Sequence, residues 1–199
     1  MKKSIIMLLG AIVFFGLCVA SSADVISFED VWSDPATYAA VQDDYYGFDW
    51  HNFYVAHKDL IPGSGYEYGV TDGEWAAFNY DASIATVDDM VFDFTGAYFT
   101  AAWVDGLTIQ VSGLRHDGSD YHTSFTVDAD GPTWVDFDFY GIYSLSFASY
   151  GGGQYQSQFV MDQFTFTKAE PVPEPATMIL MGVGLLGLAG YGRLRRKNA

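Results

Sequence analysis

Five residue pairs ending in glycine punctuate the middle of the chain: Asp72-Gly73, Thr95-Gly96, Asp105-Gly106, Asp117-Gly118 and Asp130-Gly131. Glycine enters the left-handed backbone region without steric cost, and Asp bonds its own backbone nearby, so such pairs favour chain reversal. Between them lie short runs that alternate apolar and polar side chains, the period of a half-buried strand. In LTIQVSG, Leu107, Ile109 and Val111 point one way while Thr108, Gln110 and Ser112 point the other. MVFDFTGAYFTAAW reads as two strands meeting at Thr95-Gly96, with Met90, Phe92 and Phe94 on the buried face. YHTSFTVD at 121–128, then TWVDFDFYG, YSLSFAS and QFVMDQFTFT, complete the set of expected strands. No stretch combines a helical period with caps at both ends, although Ala36–Gln42 has room for a helical turn. The expectation is all-β: a β-sandwich or jelly roll of antiparallel strands, one domain over residues 24–168.

The two ends follow different rules. Lys2 and Lys3 precede the apolar stretch IIMLLGAIVFFGLCVA, and small residues follow in SSAD. That is the make-up of a secretory signal peptide, residues 1–23, cut by signal peptidase after Ala23. Leu17 stands before Cys18, where lipid attachment needs a small residue, so Cys18 leaves with the signal. The exported chain then has no cysteine, which rules out both disulfides and thiol catalysis. At the far end, residues 176–192 form an apolar run of 17 residues, about 25 Å as a helix. It is expected to span the membrane over 178–192. The basic segment 193–199, with Arg193, Arg195, Arg196 and Lys197, would stop on the cytoplasmic side.

A linker at 169–177 carries Pro173-Glu174-Pro175 just before the apolar run. Pro-Glu-Pro, a Gly-rich apolar helix and an Arg-rich end, in that order, resemble the PEP-CTERM sorting signal of Gram-negative bacteria. The resemblance implies recognition and cleavage by the membrane protease-transpeptidase exosortase. It also implies an association with exopolysaccharide and biofilm. The protein would be anchored in the inner membrane before processing, then released to the cell surface or extracellular matrix. Two prolines keep the motif extended, as entry into a protease groove requires.

The body is strongly acidic. Between residues 24 and 170, 24 Asp and Glu face only Lys58, Arg115 and Lys168, a formal net of −21. Such a surface repels nucleic acid and anionic lipid. An aromatic content of 18% argues against disorder despite that charge. The four histidines show no three-ligand convergence for zinc, and no nucleophile-elbow pattern is present.

Two constellations stand out. In TWVDFDFYG, the inward Val135, Phe137 and Phe139 leave Trp134, Asp136, Asp138 and Tyr140 on the opposite face. A ring that stacks on a sugar beside a carboxylate that accepts its hydroxyls is the chemistry of carbohydrate binding. Tyr150 and Tyr155, and Tyr45, Tyr46 and Trp50, are further aromatic candidates, with core packing as their alternative role.

The second constellation joins the two ends of the body. Alternation puts Val160, Phe164 and Phe166 on one face, and Asp162 on that same face. With Glu29 and Asp30 of VISFED, this resembles jelly-roll carbohydrate-binding modules, some of which hold a structural Ca²⁺ between the first and last strands. The resemblance implies Glu29 and Asp162 as calcium ligands, with backbone carbonyls completing the six to eight oxygens. The alternative is that Asp162 bonds backbone amides. The functional expectation is a non-catalytic, exosortase-processed protein that binds extracellular polysaccharide. An acidic structural matrix protein and a polysaccharide hydrolase or lyase are the alternatives.

Overall fold

The computed structural model describes residues 22–153 and 155–169, with positions 182, 184 and 185. The signal segment up to residue 21, the Pro173-Glu174-Pro175 motif and the basic end lie outside the described residues. So does the expected membrane helix, apart from those three positions. Among the described residues no helix is long and apolar enough to cross a membrane.

Among the described residues, ten strands run in chain order: β1 (Asp24–Ile26), β2 (Tyr38–Ala40), β3 (Asp49–His51), β4 (Phe53–His57), β5 (Trp75–Asn79), β6 (Ala85–Ala101), β7 (Leu107–Arg115), β8 (Asp120–Val127), β9 (Thr133–Tyr150) and β10 (Phe159–Lys168). A single helical turn, α1 (Gly65–Tyr68), lies between β4 and β5, with Ser64 accepting from the Tyr66 amide at its start. Every pairing between strands is antiparallel, in the order β2-β4-β5-β10-β6-β9-β7-β8. β1 adds to β10 and β3 to β6.

Strands distant in that order nevertheless touch through their rings. Phe53 of β4 lies 5.7 Å from Phe147 of β9, and Phe48, just before β3, lies 4.8 Å from Phe166 of β10. The sheet is therefore folded over on itself as a β-sandwich. β6 and β9 pair along almost their whole length and pass together from one layer to the other. The core between the layers is built on phenylalanine, with Phe28, Phe48, Phe53, Phe92, Phe94, Phe99, Phe147, Phe159, Phe164 and Phe166 essentially inaccessible. Burying each ring stabilises the fold by about 2–3 kcal/mol. This offsets the lack of disulfides. Among the described residues, all strands and both hydrophobic clusters fall between Asp24 and Lys168, so this segment supplies its own core.

Four expectations change. Thr95-Gly96 is not a turn but an irregular step inside the 17-residue β6. A Cβ on Gly96 would lie 2.8 Å from the Val135 carbonyl and inside the Trp134 ring. The glycine is there for close packing. TWVDFDFYG and YSLSFAS form one strand, β9, bent at Gly141 (φ +63). The Gly141 amide leaves the ladder and donates to Asp93 at 2.7 Å. Within Ala36–Gln42, residues 38–40 are strand instead of helix, because their backbone pairs with Tyr54, Val55 and Ala56.

Finally, Asp162 does not share a face with Phe164 and Phe166. A bulge at Gln163 (φ +52) inverts the alternation, so Met161, Phe164 and Phe166 join the main core. Val160, and with it Asp162, turns to the outer side beneath α1.

A candidate ligand-binding face

The outer face of the layer holding β4, β5, β10, β6 and β9 carries three features. The first is the row on β9. Phe137 and Phe139 are buried and Val135 is half-buried, while Asp136, Asp138 and Tyr140 are exposed and Trp134 is half-buried. The four outward residues span about 20 Å of extended strand. Trp134 donates its indole N–H to Asp136 at 2.7 Å and rests edge-on against Tyr98 of β6 at 5.1 Å. Tyr140 donates to Asp138 at 3.1 Å, and this bond to a carboxylate raises the phenol above its usual range. Each ring is thus held by the acid beside it, and each acid keeps free lone pairs toward solvent.

The second feature is a loop, residues 69–75, clamped by the two carboxylates expected as calcium ligands. Asp162 is fully buried. It accepts from the amide and hydroxyl of Thr71, both at 2.7 Å, from the Asp72 amide at 3.1 Å and from the Gln163 amide at 2.7 Å. Burial raises its carboxyl above the ordinary value, and these donors pull it only part of the way back. Glu29 accepts from the Glu74 and Trp75 amides at 2.8–3.1 Å. A bound Ca²⁺ needs oxygen lone pairs, and here backbone N–H groups occupy them. Asp30 accepts from the Tyr45 hydroxyl instead. Among the described residues no three acidic, His or Cys side chains converge. As arranged, the pair acts as two loop clamps, each carboxylate held by backbone donors.

The third feature was not legible in the sequence. A cavity of about 220 Å³ opens where the layer ends, between β4, β5, α1 and the segments around Trp103 and Tyr155. Its lining is mainly aromatic: Tyr38, Tyr66, Phe78, Tyr80 and Trp103, with Tyr155, Asp81 and Gln158 at the edge. These residues are scattered over 120 positions, and no local pattern links them. Trp103 is 40% exposed, yet its orientation is set by a 2.9 Å bond to Gln158 and an edge contact with Tyr66. Asp81 (φ +52) and Ala82 (φ +55) hold a left-handed turn that presents Tyr80 and Asp81, and Tyr155 (φ +65) is strained likewise. Left-handed backbone costs a non-glycine residue about 1–2 kcal/mol, which packing elsewhere offsets.

Other candidates separate. Trp50 is core, Tyr45 packs on Phe28, Tyr46 is exposed with its ring 5.0 Å from that of Tyr45, and Tyr150 is exposed. On the opposite layer Ser112 lies 2.8 Å from His122 Nδ1, and His122 Nε2 lies 2.8 Å from Asp120. This relay comes from direct cross-strand pairing of Ser112 with His122. β7 is paired on both sides, so its amides are spent on the ladders and supply no oxyanion donors. None of the three lines the aromatic cavity.

Comparison with known proteins bears on the tail and the fold separately. Residues 171–197 match the PEP-CTERM protein-sorting motif. The motif marks an exported protein, anchored in the membrane until exosortase processes it. No curated protein matches the chain. Among solved structures, the body is similar to the K2 cleaved adhesin domain of Lys-gingipain, at 12% identity over 74% of this chain and 99% of that one, with a TM-score of 0.46. A cyclase from Fischerella sp. is 13% identical over 75% of this chain and 99% of its own, with a TM-score of 0.45. The xylan-binding CBM22-1 domain of Paenibacillus barcinonensis Xyn10C is 8% identical over 77% and 99%, with a TM-score of 0.39.

Proposed function

We propose that the processed protein is a non-catalytic polysaccharide-binding component of the cell surface or extracellular matrix, and that it helps to organise exopolysaccharide in a biofilm. The observation that carries this reading is the outward row Trp134, Asp136, Asp138 and Tyr140, in which each ring is held by a neighbouring carboxylate. An open strip of this kind suits the interior of an extended polymer, whose sugar rings stack on the aromatic faces while the acids accept hydroxyls. The sorting motif supports delivery to the place where such a polymer is met. The test is retention of residues 24–169 in gels cast with neutral and acidic polysaccharides, including the producer's own polymer. Wild-type protein is expected to lag, and Trp134→Ala with Tyr140→Ala to run freely. Free migration of the wild type in every gel overturns the reading.

A further inference from the structure

We propose that the aromatic cavity beside Trp103 is a second, separate binding site, which takes the terminal ring of a neutral sugar chain. This inference rests on the carbohydrate reading of the protein, but on different residues. The cavity and the β9 row share one outer face, with β4 and β9 four strand spacings apart, about 19 Å.

Size argues first. At roughly 30 Å³ per water, the cavity holds about seven waters, the bulk of one six-membered sugar ring. It continues past Tyr38, Leu60 and Ile61 into a wider groove of about 580 Å³ bounded by Ala36 and Thr37. A ring in the cavity therefore has an exit for the chain attached to it. Chemistry argues next. Trp103 and Tyr38 offer faces for the apolar side of a ring. Tyr66 lines the cavity with its phenol protonated, as any tyrosine is near neutral pH and the more so here because burial raises it, so its hydroxyl is a donor. The adjacent Tyr38 hydroxyl, and then the Asp81 carboxylate, push the Tyr80 phenol up as well. Charge completes the case: Asp81 at the edge of a body with a net of −21 disfavours uronic acids and selects neutral sugars.

Aromatic grooves also receive proline-rich peptides. From Lys168, even a fully extended chain would leave the Pro-Glu-Pro short of this one. β10 begins beside the cavity after Gln158 and ends at Lys168, about 30 Å away, and four residues then separate Lys168 from Pro173. The five steps from Lys168 to Pro173 extend at most about 18 Å. Glu174 would moreover meet Asp81.

The experiment is calorimetric titration of residues 24–169 with cellotetraose, xylotetraose and tetragalacturonic acid, and with a peptide carrying Pro-Glu-Pro. Variants are Trp103→Ala, Trp103→Phe and Trp134→Ala, each checked by thermal melting. The expected result is binding of a neutral tetrasaccharide that falls at least tenfold in Trp103→Ala, recovers largely in Trp103→Phe and is untouched in Trp134→Ala. Gel retention by long polymer should survive Trp103→Ala. If Trp103→Ala binds the tetrasaccharide as the wild type does, or if only the acidic sugar or the peptide binds, the second site is overturned while the β9 row stands. Polymer retention with no tetrasaccharide bound also overturns it. Loss of both polymer and tetrasaccharide binding in the wild type overturns the two readings together.

Discussion

Asp162 does at residue scale what a metal ligand would be asked to do, using backbone donors in place of a cation. Three of its four accepted hydrogen bonds tie β10 to the loop after α1, the fourth coming from the neighbouring Gln163 amide, and Glu29 ties the other end of that loop to the start of the body. Removing it in Asp162→Ala leaves the Thr71 and Asp72 amides without their buried acceptor, and the expected cost is about 2–4 kcal/mol in chemical denaturation. At matched ionic strength, calcium at millimolar concentration should leave the melting temperature of wild type and variant unchanged. A calcium-dependent rise in the wild type alone would restore the metal reading. The pH dependence has a definite sign. Because the folded carboxyl titrates above its unfolded value, its contribution to stability is fullest below the unfolded value and is lost as pH rises through the folded one. The melting-temperature gap between wild type and Asp162→Asn should accordingly widen on acidification through the carboxylate range. A gap that narrows would mean that the hydrogen bonds outweigh burial.

At the scale of elements, glycine and irregular backbone decide where strands bend. Gly141 carries a positive φ at the corner of β9, where the strand passes between layers and its amide turns to Asp93. Gly141→Ala should destabilise by about 1 kcal/mol, a fall in melting temperature of roughly 4 °C. An unchanged melt would show that the corner does not depend on left-handed backbone. Gly96→Ala fails for another reason, since its methyl would displace Trp134, so polymer retention should fall along with stability. These positions mark the boundary of what the sequence discloses. Strict alternation exposed Leu107, Ile109 and Val111 as core and put Trp134, Asp136, Asp138 and Tyr140 on one outer face, because those segments are regular. It failed at Gln163, where one extra residue inverts every side chain that follows. It also read Thr95-Gly96 as a turn, since a glycine that admits a neighbouring ring looks the same in sequence as one that reverses the chain. The aromatic cavity was out of reach for a plainer reason. Tyr38, Tyr66, Tyr80, Trp103 and Tyr155 meet only through the order of the strands, which periodicity does not encode.

At the scale of the whole molecule, charge and packing oppose each other. The body bears a formal −21, and among the described residues the one Lys- or Arg-carboxylate pair is Lys58–Glu74 at 3.9 Å, largely exposed and worth little. The phenylalanine core must therefore outweigh a self-repulsion that acts over about 10 Å at 0.1 M salt and shortens as salt is added. Raising sodium chloride from about 10 mM to about 0.5 M should raise the melting temperature by several degrees, with most of the gain below physiological ionic strength, before the Debye length has shortened to about 8 Å. Sodium sulfate at matched ionic strength separates this effect from general salting-out, which strengthens hydrophobic burial whatever the charge. If the gain tracked the salting-out order of the anions instead of ionic strength, repulsion would not be the limiting term. The same screening divides the ligands. Stacking of a neutral sugar on Trp103 or Trp134 exchanges no ions, so its affinity should hold across that range, while any binding of an acidic glycan should strengthen with salt. An acidic polymer held best at low salt would require a cationic surface, and Lys58, Arg115 and Lys168, the basic residues of the body, are too few and too dispersed in sequence to supply one.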